Sequence, residues 1–102
     1  MYEVRANIRT IDNVNVETFS RDIYNHNVLT VEAGATKVSE DKWGVKTYIK
    51  IKDNGCTNMK VSSDQAKGEV EIIMQGHAEL ETMIEGLEFI LQALKDAKNE
   101  MV

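Results

Sequence analysis

Six apolar residues between His77 and Asn99 constrain this chain more than any other feature. Leu80, Met83, Ile84, Leu87, Leu91 and Leu94 recur at spacings of three and four, the period of one helical face. A helix of that length with so continuous an apolar stripe needs something to bury it. Everything upstream reads as short strands able to supply such a surface. With 102 residues, the chain is long enough for one modest core and too short for two, so residues 1–102 are expected to form a single domain.

The strands are legible from alternation, because successive side chains of a strand point to opposite faces. Tyr2, Val4, Ala6 and Ile8 alternate with Glu3, Arg5, Asn7 and Arg9, and Asp12-Asn13 ends the run with turn chemistry. Val16, Phe19 and Ile23 then fall at i, i+3 and i+7 behind Asn15, a competent helix cap. That spacing predicts a short helix over 16–25, with a β extension as its competitor. Leu29, Val31 and Ala33 mark a second strand over 28–33. The polar stretch 34–44 is a loop long enough to be functional or mobile, and Trp43, the sole tryptophan, lies at its far end.

The clearest strand is 45–53, with Val45, Thr47, Ile49 and Ile51 on one face and Lys46, Tyr48, Lys50 and Lys52 on the other. Asn54-Gly55 is the dipeptide favoured in two-residue hairpin turns, which predicts a partner strand over 56–62 with Met59 and Val61 inward. A last strand over 69–75 turns Val70, Ile72 and Met74 inward, and Gly76 opens the helix. The expected fold class is α+β. An antiparallel sheet of about five strands is packed by the long C-terminal helix and by a short helix after the first strand.

Two surface features bear on function. Nearly opposite the leucine row, the long helix carries Ala78, Thr82, Gly86, Phe89 and Ala93. A helical glycine costs about 1 kcal/mol against alanine, so Gly86 implies close packing. A homodimer contact through this row is the expectation, against solvent-tolerant filler around one exposed aromatic. The second feature is a basic strand face: Arg5, Arg9, Lys46 and Lys50 around Tyr48, with Lys52 beside them and Trp43 nearby. Such a face can hold a phosphate and stack a base, although strand lysines also serve as a solvated face.

Several classes are disfavoured. A net charge of −5 opposes indiscriminate binding to double-stranded nucleic acid or an anionic membrane. Cys56 is the single cysteine and the two histidines, His26 and His77, are far apart, so no disulfide, metal or cofactor is expected. No nucleophile elbow, phosphate loop, dinucleotide fingerprint or zinc-protease motif occurs, and an enzyme ranks last among the readings. No apolar run approaches the about 18 residues of a membrane span, and no leader pattern opens the chain. The expected location is the cytoplasm.

Three stretches, Val31-Glu32-Ala33-Gly34, Lys46-Thr47-Tyr48-Ile49-Lys50-Ile51-Lys52-Asp53 and the run from Gly76 to Phe89 that begins Gly76-His77-Ala78-Glu79-Leu80, resemble small uncharacterised proteins of Gram-positive bacteria and their phages. The loop before Thr47-Tyr48 is glycine-rich in that group, whereas here Gly44 is its one glycine after Gly34. A glycine-rich anion cradle is thus in doubt. The resemblance implies a phage or mobile-element accessory protein and no particular activity. Together these readings predict a small, dimeric, non-enzymatic binding protein that sequesters an anionic small molecule such as a nucleotide signal. The alternative is an inhibitor or adaptor that contacts a host protein through the helix surface or the 34–44 loop.

Overall fold

The computed structural model describes residues 3–36 and 44–100. In chain order the elements are β1 (Arg5–Ile11), β2 (Val14–Tyr24), β3 (Val28–Ala35), β4 (Thr47–Gly55), β5 (Met59–Asp64), β6 (Glu69–Met74) and α1 (His77–Asn99). The first four strands form an antiparallel meander in the order β1-β2-β3-β4, and β5 pairs with β6 as a separate two-stranded ribbon. The α+β class therefore holds, with six strands among the described residues in a four-plus-two division instead of about five in one sheet. The molecule is a slab 19 Å in its thinnest dimension, the depth of one sheet and one helix. No described helix is long and apolar enough to cross a membrane.

The short helix expected over 16–25 is a strand. Asp12 and Asn13 both take positive φ, 50° and 66°, the requirement of a tight hairpin turn whose twist matches its flanking strands. That turn sets Ile11 opposite Val14 and keeps all of β1 in register with β2. Val14, Val16, Thr18 and Ile23 are β-branched and suit a pleated surface, so tertiary pairing overrides the helical spacing of Val16, Phe19 and Ile23.

The hairpin expected at Asn54-Gly55 also differs. β4 runs through both residues, and the Asp53 carboxylate accepts the backbone N–H groups of Gly55 (2.9 Å) and Thr57 (3.2 Å). These bonds turn the chain at Cys56, whose φ is +55°, and send β5 away from β4 to pair with β6. Met59 and Met74 face each other at the base of the ribbon and pack on the core. Farther out, Val61, Val70, Ile72 and Ile73 are exposed, so of the inward positions expected there only the two methionines reach the core.

α1 lies across β3 and β2, but on the face opposite to expectation. Thr82, Gly86, Ile90, Ala93 and Ala97 are buried against the sheet with Ile23, Leu29, Val31 and Ala33. A Cβ added at Gly86 would stand 2.9 Å from Cγ1 of Val31, so helix and strand meet almost backbone to side chain. The Thr82 hydroxyl accepts a hydrogen bond from Asn27 Nδ2 (3.0 Å), which also donates to Thr57 (3.0 Å). These bonds fix the same face inward. Phe89 is half-buried on this core. Four of the five residues expected as a dimer contact, Thr82, Gly86, Phe89 and Ala93, thus meet the chain's own sheet and core, which corrects that role for them, while Ala78 is half-buried. Leu80, Ile84, Leu87 and Leu91 are 49–57 % exposed.

Replacing Gly86 with leucine should overpack the Val31 contact and destabilise the fold by about 1–3 kcal/mol. Urea unfolding of wild type and Gly86→Leu measures it.

Candidate functional site

The sheet face turned away from α1 is polar, and its register is continuous over four strands. Arg5 pairs with Ser20, Ser20 with Glu32, and Glu32 with Lys50, so these four residues form one row across β1, β2, β3 and β4. Thr30 stands between Asp22 and Lys52 in the next row, and Gly34 between Thr18 and Tyr48 on the other side. A Cβ at Gly34 would collide with the Glu17 carbonyl oxygen and approach the Thr18 Cα to 2.8 Å. Strands β2 and β3 approach closely at this position.

The fulcrum of the face is Glu32, whose side chain is 5 % exposed. Its carboxylate accepts two hydrogen bonds from Arg9, from Nε at 2.7 Å and Nη2 at 2.6 Å, and a third from the Thr18 hydroxyl at 2.5 Å. The Arg9 guanidinium also lies 5.6 Å from the centre of the Tyr48 ring, within cation–π range. The Arg9 bonds, which outweigh the penalty of burial, and the Thr18 bond hold the Glu32 carboxyl below its ordinary pKa. Asp22 is likewise lowered, first by Arg5 and then by the Thr30 hydroxyl. Arg5 reaches it at 3.0 and 3.3 Å and Thr30 at 2.6 Å.

Between these pairs lies a cavity of about 240 Å³, lined by Arg5, Arg9, Glu32, Lys50, Lys52 and Asn54 among others. Four cations face two carboxylates, Glu32 and Asp22. Neither Lys50 nor Lys52 forms an ion pair with a described residue. Both arginines keep a donor that their carboxylates do not use, Nη1 on Arg9 and Nε on Arg5. The surplus of two positive charges is opposite in sign to the chain as a whole, and oriented guanidinium and ammonium donors are the groups that hold phosphate or carboxylate oxygens.

Of the residues expected at this site, the structure brings Arg5, Arg9 and Lys50 into one cavity, with Tyr48 beneath Arg9. Lys46 lies apart, 3.3 Å from Asp12. Its backbone closes the base of the 34–44 loop through Thr36. Trp43 lies outside the described residues. Glu32, Asp22, Thr18 and Thr30 were missing from the expected set, although the alternation of Thr30 and Glu32 with Val31 already assigns them to the polar face. Among the described residues no three histidine, cysteine, aspartate or glutamate side chains gather as metal ligands do. Comparison with protein-family models, with curated proteins and with solved structures finds no match to this chain.

A carboxylate whose folded pKa is depressed adds stability above its unfolded pKa of about 4.3 and loses it as pH falls through the lower folded value. Acid unfolding should therefore steepen below about pH 4, and Glu32→Gln should flatten that limb relative to wild type. Thermal melts between neutral and strongly acidic pH measure the difference.

Proposed function

We propose that this chain is a non-enzymatic binding protein that captures a small phosphate-bearing anion, such as a nucleotide, on the polar face of its sheet. One observation carries the reading: a cavity of about 240 Å³ with two surplus positive charges on a chain of net charge −5. Lys50 and Lys52 supply the charge that meets the anion. Arg5 and Arg9 contribute directional donors whose planes are already held by Asp22 and Glu32, so little side-chain freedom is lost on binding. Tyr48 is engaged by Arg9 on the same face, and an aromatic beside cations is the surface on which a base stacks. The resemblance to small proteins of Gram-positive bacteria and their phages supports a setting in a phage or mobile element, where such capture would remove a signal. The open cytoplasm of the host is the place where that signal would be met.

A second reading is favoured by the exposed leucine row of α1, which suits an inhibitor or adaptor that docks on a host protein through its helix. The 34–44 loop, the other surface expected for that role, is described only at its two ends.

A nucleotide held at a hundredfold excess over its Kd should stabilise the fold by about 2.7 kcal/mol, a rise of several degrees in Tm. Lys50→Glu with Lys52→Glu should abolish the shift while leaving the Tm of the free protein within a few degrees of wild type. A thermal-shift panel of mono- and dinucleotides and inorganic phosphate reads both. No shift with any phosphate-bearing anion overturns the capture reading.

A further inference from the structure

We infer that the exposed face of α1 is the interface between two copies of this chain, packed antiparallel about a two-fold axis near Glu88. The spacing of the exposed residues is the first argument. Leu80, Ile84, Leu87 and Leu91 step by four, three and four and are about half exposed, and Leu94 extends the row by three more. A strict alternation of this kind is the narrow seam by which helices pair with one another. A helix burying a single face on its own sheet does not need it, because α1 already buries Thr82, Gly86, Ile90, Ala93 and Ala97 there.

Charge selects the occupant and its direction. Glu81, Glu88 and Lys95 follow the seam along one flank at seven-residue intervals. A two-fold axis perpendicular to the helices sets this flank against the same flank of the second copy, with the order reversed. Glu81 of each copy then faces Lys95 of the other, giving two ion pairs. Glu88 meets its own equivalent at the axis, in a solvent-exposed position where screening limits the repulsion. A parallel pair would set the flank against Met83, Ile90 and Ala97 and form neither ion pair. The internal bonds of Glu81, to His77 at 3.0 Å and Asn25 at 3.5 Å, both use Oε1 and leave Oε2 for the second copy.

Apolar surface beside the seam supports the same occupant. The other flank of the seam opens into an apolar groove of about 410 Å³ between α1 and the β5–β6 ribbon, lined by Ile51, Ile72, Met74 and Met83. A ribbon of two strands alone is marginal in water. Its exposed Val70 and Ile72 share the strand face of Met74, which lines that groove, and stand where a second copy of α1 would cover them.

Sedimentation equilibrium and light scattering at about 100 µM, where micromolar association is saturated, should give twice the 11.5 kDa chain mass. Leu87→Glu should give the single-chain mass with unchanged far-ultraviolet circular dichroism. Glu81→Lys or Lys95→Glu alone should weaken the dimer roughly tenfold through its two ion pairs, and the double exchange should return it to within about threefold of wild type. A monomeric wild type, a dimer that survives Leu87→Glu, or a double exchange no tighter than the single ones overturns the inference. A monomer that still binds nucleotide leaves the capture reading intact and frees the seam for a different protein.

Discussion

The contact of Gly86 with Val31 is the constraint on which the rest of the molecule turns. It lets α1 approach β3 more closely than any side-chain-bearing residue at that position would allow. Once the small residues face the sheet, the leucines have no place beneath the helix. The core is consequently thin and rich in β-branched and small residues: Ile23, Leu29, Val31 and Ala33 from the strands, with Ile90 and Ala93 from the helix. Bulk arrives from the margins through Ile51, Met59, Met74, Met83 and Phe89. Three of these are methionines, whose unbranched chains fill irregular gaps at the edge of a core.

On the other side of the sheet, order comes from charge instead of volume. Glu32 ties β3 to β1 through Arg9 and to β2 through Thr18, while Asp22 ties β2 to β1 through Arg5 and to β3 through Thr30. Asp22 is thereby bonded to both of its neighbouring strands, and Glu32 to β2 beside it and to β1 beyond. Such networks fix the register of a sheet at that face, because a slip of one residue would bury an unpaired carboxylate. The same bonds orient the two guanidinium groups, so the scaffold of the cavity and the stability of the meander are one set of interactions.

How much of this was legible depended on whether a segment satisfied one period or two. Residues 45–53 alternate without exception, and β4 takes up 47–53 before running on to Gly55. Val16, Phe19 and Ile23 satisfy a helical spacing as well as sitting in a strand. What decides between them is the Asp12-Asn13 turn, whose positive φ values at two non-glycine residues cannot be read from residue type alone. The misplaced helix concealed Asp22, because its partners Arg5 and Thr30 become neighbours only when β2 exists. For α1 the period identified two rows but not their assignment. Hydrophobicity favours burying leucines, whereas the distance of closest approach favoured Gly86, and distance prevailed. The basic face was legible as a face. Its internal neutralisation was not, since Glu32 sits in a strand whose apolar residues had been the signal.

The order of elements along the chain has a kinetic consequence. β1, β2 and β3 are joined by short turns and pair between near neighbours, so the meander can close early. The helix that covers Leu29, Val31 and Ala33 comes only after all six strands. Until it docks, a formed meander presents its apolar face to solvent, together with the unpaired backbone edges of β1 and β4, the kind of surface through which folding intermediates aggregate. Arg5 and Arg9 on β1 and Lys50 and Lys52 on β4 place like charges along both of those edges. During that interval the cations that line the cavity would also keep one nascent sheet from adding itself to another.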